Sequence, residues 1–290
     1  MLYSLYILGF SLANLLPLGV GYAVAVFIAR GYWFFARRDQ AELKENLRVV
    51  LGDDVSEKVL DKHVRAIFKN FAKYLVDFFK FTQFTEEYVA EHFKIEGREN
   101  LDRALDEGKG AVLTSLHLGN WELGGAVVGG LKYPISAIVL EHKNKRINDF
   151  FTRQRSINEM KSIPIGLSIK ECFKALKRNE FLAIAGDKDY TSNGIYVDFF
   201  NRKALIPKGP AAFSLKTGAP IIITMLVREK DDSFKLIMEE PIRYKSTGDY
   251  EKDIIILMEL YLKRCEKYIR KYPDQWYVFR RIWEPQTITR

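Results

Sequence analysis

Two residues of the sequence, His117 and Glu122, have the types and the spacing of a general base and a partner carboxylate. A short apolar run at 111–113 precedes the histidine and predicts a buried strand, whereas the small apolar residues at 123–131 predict a buried helix. The histidine therefore stands where a strand ends. A histidine oriented by a carboxylate can deprotonate a hydroxyl group. We expect the loop between them to fold the imidazole back towards Glu122.

The N-terminal residues differ from the rest of the sequence because no charged residue occurs between Leu2 and Ala29. As a straight helix this segment would be about 42 Å long, against roughly 30 Å for the hydrocarbon core of a bilayer. Pro17 interrupts it and predicts a kink or a tilt. We interpret the segment as a membrane-associated helix, with a buried core helix as the alternative.

Basic residues follow this segment directly and predict its orientation in a membrane. They are Arg30, Arg37 and Arg38. The positive-inside rule then places everything after residue 38 in the cytoplasm. We predict two parts, a membrane anchor at 1–38 and a catalytic domain at 39–290.

Strand and helix patterns alternate beyond the anchor. The predicted strands are 93–95, 111–115, 135–140, 181–185, 197–200, 220–227 and 234–239. The predicted helices are 41–51, a long helix after a cap at Asp54, and 100–106, 121–131, 145–160, 169–177, 210–216 and 249–271. Such alternation predicts an α/β fold with a mixed, largely parallel sheet flanked by helices.

The composition limits the classes of partner that the protein is expected to bind. The 290 residues are 48% hydrophobic, which suffices for one large domain with an appendage. A net charge of +8 favours an acidic partner, such as an anionic lipid, a phosphorylated substrate or an acidic carrier protein. Nucleic acid is not expected, because no binding motif is present and the basic residues are spread out. Cys172 and Cys265 have no metal-ligand spacing, and we expect neither a metal nor a cofactor.

Three further segments carry residues suited to binding. They contain Arg153 and Arg155 in a predicted helix, Asp187 and Asp189 after a predicted strand, and Lys208 and Gly209 before a predicted helix. A guanidinium group binds two phosphate or carboxylate oxygens at once. Acidic residues at the carboxyl end of a strand lie where open α/β sheets bind ligands, and a helix N-terminus favours anions. A solvated helix face or a plain turn remains the alternative for the arginines and for the Lys208 turn.

The segment His117-Leu-Gly-Asn-Trp-Glu122 resembles that of the bacterial lipid A biosynthesis acyltransferases and their phosphatidylinositol mannoside relatives. These enzymes belong to the glycerolipid acyltransferase superfamily, which is marked by His-x4-Asp/Glu. The matching segments continue at 187–189, at 194–200, at 207–211 and at 272–283, so the resemblance covers about residues 1–285. Asn201 stands where the family usually has glycine, and Phe279 replaces a usual histidine.

The resemblance implies the transfer of a fatty acyl chain from a thioester, either acyl-acyl carrier protein or acyl-CoA, to a hydroxyl of a membrane glycolipid such as a lipid A precursor. His117 would be the general base, Glu122 would orient it, and backbone N–H groups at 118–120 would bind the oxyanion. The substrate-binding residues implied are Asn120, Arg153, Arg155, Asp187, Asp189, Lys208 and Gly209. The implied location is the cytoplasmic face of the bacterial inner membrane.

Other activities remain open at this point. A phosphatidylinositol mannoside or other lysolipid acyltransferase would use the same residues. A membrane-anchored ester or phosphoester hydrolase could also use the same histidine and acids, and a lipid-binding domain would use neither. The sequence has no Gly-x-Ser-x-Gly motif, which favours direct transfer without an acyl-enzyme.

Overall fold

The computed structural model describes residues 2–165, 169–189 and 193–283, so the predicted outer limits at residues 1 and 290 lie outside it. The helices are α1 (Leu2–Leu15), α2 (Leu18–Trp33), α3 (Arg37–Leu51), α4 (Glu57–Phe79), α5 (Glu86–His92), α6 (Arg98–Asp106), α7 (Trp121–Gly130), α8 (Lys145–Ser156), α9 (Ile169–Lys177), α10 (Gly209–Thr217) and α11 (Tyr250–Lys271). The strands are β1 (Phe93–Glu96), β2 (Ala111–Ser115), β3 (Ile135–Val139), β4 (Lys161–Pro164), β5 (Phe181–Ala185), β6 (Ile195–Phe199), β7 (Arg202–Ile206), β8 (Ile221–Arg228) and β9 (Phe234–Met238).

The main sheet has seven strands in the order β1-β9-β8-β2-β5-β3-β4. Strands β8 and β9 are antiparallel, whereas every other neighbouring pair is parallel. This confirms the predicted mixed, largely parallel sheet with flanking helices. Strand β2 lies in the middle, and its register with β5 pairs Ser115 with Ala185.

Most predicted elements are present, and 111–115 and 181–185 are strands over the predicted residues. The sequence did not predict strands β4 and β7 or helix α5. Strand β4 is a short edge strand with a proline, and β7 is rich in charged residues, so neither has the pattern of a buried strand. The predicted helix at 145–160 is too long, since α8 ends at Ser156. The predicted cap at Asp54 is also wrong, because α4 begins at Glu57 with Ser56 at its N-cap.

A two-residue turn at Phe200 and Asn201 joins the separate β6–β7 hairpin. Both residues have positive φ, 55° and 58°. A tight hairpin turn of this kind needs positive φ at both central positions, and asparagine adopts it more readily than most residues. Asn201 is therefore compatible with the turn that this hairpin adopts.

The predicted N-terminal segment consists of two helices that break at Pro17 and lie on α4. Ala13 and Tyr22 are buried there against Val76. The side-chain amide of Asn14 also donates to the carbonyl of Phe79 over 2.9 Å. Within the described residues, no single helix is both long and apolar enough to cross a bilayer, although α2 and α3 together pass that test with a 97° bend between them.

Removal of residues 1–33 should destabilise the rest of the protein, because α2 packs on α4 and its Tyr22 donates to Asp77, which forms a buried ion pair with Arg228 of β8. Loss of these contacts should lower the free energy of unfolding by about 3 kcal/mol, and the melting temperature by roughly 5–10 °C. Differential scanning fluorimetry of the whole and the truncated protein in the same detergent measures the two melting temperatures.

Removal of residues 1–15 is the matched control, since it keeps Tyr22 in place. Its melting temperature should lie closer to that of the whole chain. Equal melting temperatures for all three proteins would show that the first two helices are a separable anchor.

Candidate active site

His117 and Asp187 face each other at the carboxyl edge of the sheet. Each follows its own strand by two residues, and the strands β2 and β5 are parallel neighbours whose ends, Ser115 and Ala185, are paired. The Nδ1 atom of His117 lies 2.6 Å from Oδ1 of Asp187. The backbone N–H of His117 also donates to Oδ2 of Asp187 over 3.0 Å. The aspartate thus fixes both the main chain and the ring of the histidine.

The carboxylate of Asp187 is fully buried and remains ionised at neutral pH. Burial raises its pKa, but its interactions with His117, Lys188 and Trp276 outweigh burial and bring the pKa to about 2. The indole Nε1 of Trp276 donates to Oδ2 over 3.0 Å. An ionised carboxylate only accepts hydrogen bonds, so the neutral imidazole carries its proton on Nδ1 and its lone pair on Nε2. That is the tautomer of a general base.

Gly119 allows the loop after His117 to lie against β8. Its φ is +66°, and a Cβ atom there would be 1.9 Å from the carbonyl oxygen of Leu226. The N–H of Gly119 donates to Gln275 and that of Asn120 donates to Leu226, each over 2.8 Å. These two N–H groups are therefore engaged within the protein, which disagrees with their predicted role in binding an oxyanion.

The C-terminal segment 275–277 supports the same loop. The N–H of Tyr277 donates to the carbonyl of His117 over 2.7 Å. The ammonium of Lys188 donates to the carbonyl of Tyr277 over 2.9 Å, and burial lowers the pKa of Lys188 to about 8. The sequence marked this segment only through its resemblance to the family. Its contacts give it a structural role at the site.

Glu122 contacts Arg155 of α8, and the histidine has Asp187 as its partner instead. Oε2 of Glu122 accepts from Nε of Arg155 over 2.9 Å, and Oε1 accepts from Nη2 over 2.6 Å. Both side chains are mostly buried. Glu122 lies in the first turn of α7 and faces α8, whereas His117 is drawn to the neighbouring strand end. The expected pairing of Glu122 with the imidazole is therefore corrected to a pairing with Asp187.

Besides Asp187 and Arg155, two further residues predicted to bind substrate have engaged side chains. Asn120 is buried as the N-cap of α7, where it accepts from the N–H of Leu123 over 3.0 Å and donates to Asp77 over 2.9 Å. Asp189 accepts from the N–H of Gly194 over 3.0 Å.

The remaining predicted binding residues lie on two different helices. Arg153 is exposed on α8, while Lys208 and Gly209 form the partly exposed start of α10. A Cβ atom on Gly186, the residue before Asp187, would be 3.3 Å from Pro210. The turn before α10 therefore lies close to the strand end that carries Asp187.

An apolar cleft of about 490 Å³ lies between the first two helices and α4. Leu12, Val24, Leu75 and Phe279 are among its lining residues. Such a cleft suits a hydrocarbon chain. Across residues 2–165, 169–189 and 193–283, no group of three His, Cys, Asp or Glu side chains is arranged to hold a metal ion.

Comparison with known proteins identifies the family of the chain. Residues 1–284 match the sequence profile of the bacterial lipid A biosynthesis acyltransferases. The chain is 24% identical to a phosphatidylinositol mannoside acyltransferase of Mycolicibacterium smegmatis over 282 residues, which are 96% of this chain and 90% of that protein. It is 26% identical to the lipid A biosynthesis palmitoleoyltransferase of Escherichia coli over 245 residues, 83% of this chain and 78% of that protein. The profile spans nearly the whole sequence, and the chain therefore belongs to the bacterial lipid A biosynthesis acyltransferase family and is an acyltransferase.

Proposed function

We propose that this acyltransferase moves a fatty acyl chain from an acyl thioester to a hydroxyl of a membrane glycolipid, most simply a lipid A precursor. The observation that carries the proposal is the pair His117–Asp187, with Nδ1 held by a buried carboxylate at the ligand-binding edge of the sheet. The two kinds of named relative supply the acceptor class. A glycolipid of the phosphatidylinositol mannoside type is the second candidate, since such relatives align with most of the chain.

In the proposed reaction, Nε2 of His117 takes the proton of the acceptor hydroxyl while the hydroxyl oxygen attacks the thioester carbonyl. A new C–O ester bond forms, the C–S bond breaks, and the thiolate leaving group receives the proton from the imidazolium. Asp187 stabilises the imidazolium because it stays ionised in its buried position. The N-terminal turn of α7 offers its dipole to the oxyanion.

The donor and the hydrocarbon chain have candidate places too. Either acyl-acyl carrier protein or acyl-CoA brings negative charge, and Arg153 on α8 and Lys208 before α10 offer accessible cations. The apolar cleft between α1, α2 and α4 offers a slot for an acyl chain. Glu122 and Arg155 act as positioning residues that fix α7 against α8.

We also propose that the protein works on the cytoplasmic face of the bacterial inner membrane. The outer faces of α1 and α2 and the turn after them expose large apolar side chains, including Leu15 at 79%, Phe27 at 75% and Phe35 at 85%. Exposed apolar side chains together with the exposed Arg37 and Arg38 suit an anionic membrane.

Thiol release tests the proposed reaction directly. With acyl-acyl carrier protein or acyl-CoA, purified protein should release thiol quickly only when the glycolipid acceptor is present. His117→Ala should lower turnover by about 10²–10⁴-fold, and Asp187→Asn should also lower it strongly because the wrong tautomer becomes favoured.

Other outcomes identify the alternatives. Fast thiol release without acceptor would indicate a hydrolase, and no release under any condition would indicate a lipid-binding protein. Turnover of His117→Ala within about threefold of the wild type, far from the expected loss, would remove His117 as the base.

Arg155→Ala should destabilise the protein by about 3–5 kcal/mol, because it leaves Glu122 mostly buried without its partner. Arg153→Ala on the exposed side of the same helix is the matched control and should leave the melting temperature unchanged. Thermal melts and Michaelis constants measure the two effects separately. An unchanged melt for Arg155→Ala with a raised Michaelis constant for a phosphorylated acceptor would instead place Arg155 on the substrate.

Phe35→Glu should weaken binding to anionic phospholipid vesicles roughly tenfold, since it removes a large apolar side chain from the proposed membrane surface. Tyr196→Glu is the matched control, because Tyr196 is 54% exposed on the β6–β7 hairpin. Vesicle co-sedimentation at several salt concentrations measures binding. Equal loss in both variants would contradict the membrane face assigned to α1 and α2.

A further inference from the structure

A buried polar cluster lies outside the His117–Asp187 site and joins three elements to its loop. The hydroxyl of Tyr22 in α2 donates to Oδ1 of Asp77 in α4 over 2.5 Å. Arg228 of β8 forms an ion pair with Oδ2 of Asp77 and donates to the hydroxyl of Tyr22 over 3.0 Å. The Asp77 side chain is fully buried, and Tyr22 and Arg228 are nearly so.

Asn120 connects this cluster to the reactive loop. Its side-chain amide donates to Oδ2 of Asp77, while its side-chain carbonyl caps α7 by accepting from Leu123. Asn120 is three residues after His117 and two before Glu122. One side chain thus ties the start of α7 to Asp77, and through Asp77 to the N-terminal helix α2.

Stability alone is a weak reason for such a cluster. A buried ion pair costs desolvation energy, and apolar residues of similar size often stabilise a core as well or better. Fully satisfied polar groups instead fix one geometry, because each donor and acceptor has a defined direction. The cluster meets the main chain of the loop, where a displacement of about 1 Å can slow a reaction 10²-fold.

A second tyrosine in this protein makes the same two kinds of hydrogen bond, to partners on the exposed side of α6, but has no link to the loop. The hydroxyl of Tyr133 donates to Asp102 over 2.5 Å and accepts from Arg98 over 3.1 Å. Tyr133 is also buried, at 8% exposed. It precedes β3 at the opposite edge of the sheet from the carboxyl ends of the strands. The pair of tyrosines therefore separates the effect of losing a hydroxyl from the effect of losing a link to the site.

We propose that Tyr22, Asp77 and Arg228 are positioning residues, through which helix α2 holds Asn120 and with it the loop 117–122 in its reactive geometry. The N-terminal helices then take part in turnover as well as in the proposed contact with the membrane. The inference rests on the proposed role of His117 as base, but concerns residues that touch neither substrate nor the reacting atoms.

The test uses the whole chain in detergent with a short, soluble acceptor, well below the melting temperature, so that neither membrane binding nor unfolding affects the rate. Tyr22→Phe should lower kcat roughly ten- to a hundredfold and leave KM for donor and acceptor unchanged. Asn120→Ser keeps a capping oxygen for Leu123 but is too short to reach Asp77, and it should give a similar loss. The double variant should lose little more than either single variant, because both break the same link.

Amide hydrogen exchange supplies a readout that does not depend on activity. The N–H groups of Gly119 and Asn120 are hydrogen-bonded, and they should exchange faster in Tyr22→Phe than in the wild type. Tyr133→Phe is the matched control and should change neither kcat nor exchange at these residues.

Two outcomes would overturn the inference: equal kcat values for Tyr22→Phe and Tyr133→Phe, or losses that multiply in the double variant. Failure of the proposed function is a separate result, since in that case His117→Ala would keep its activity. If His117→Ala is inactive while Tyr22→Phe is fully active with normal exchange, the proposed function stands and the positioning role of α2 does not.

Discussion

The parallel pairing of β2 with β5 is the constraint on which the site depends. Because Ser115 is paired with Ala185, the residues that follow the two strands emerge side by side at one edge of the sheet. His117 and Asp187 occupy the equivalent positions two residues further on, and their 2.6 Å contact follows from that register. A shift of either strand by one residue would turn one of these side chains to the other face. The central position of β2, between β5 and β8, fixes its register from both sides.

The loop that carries His117 is held by parts of the chain that are distant in sequence. Gln275 and Leu226 accept from its N–H groups, and Tyr277 donates to its carbonyl. The side chain of Gln275 also accepts from the N–H of Arg228 over 2.9 Å and donates to the carbonyl of Arg228 over 2.7 Å. His117, the proposed base, is thus placed by a frame of main-chain contacts before any substrate binds. Such preorganisation lowers the cost of reaching the transition state, because little has to move.

Two ion pairs with different tasks flank this frame. Glu122 and Arg155 bind each other in a bidentate manner and join α7 to α8, whereas Asp77 and Arg228 join α4 to β8 beneath α2. Both pairs are shielded from solvent, so their geometry is well defined and their loss is costly. The membrane-facing helices proposed here therefore rest on a polar connection to the domain in addition to their apolar contacts with α4.

The sequence by itself determined most of the elements and the chemistry of several residues. Apolar runs bounded by glycine and polar residues predict β2 and β5 over the observed residues, because strand burial is a local pattern. The sequence motif around His117 indicated the family. Asp187 was predicted to be a binding residue because it follows a predicted strand. Only the tertiary structure decided which carboxylate meets the imidazole. Glu122 is five residues away in sequence but faces α8, while Asp187 is seventy residues away and is brought close by strand pairing. Sequence spacing reports neighbours along the chain, whereas neighbours across a parallel sheet are set by strand order and register, which no local pattern encodes. The sequence likewise could not predict the link from Tyr22 through Asp77 to Asn120, because these residues come from three separate parts of the chain.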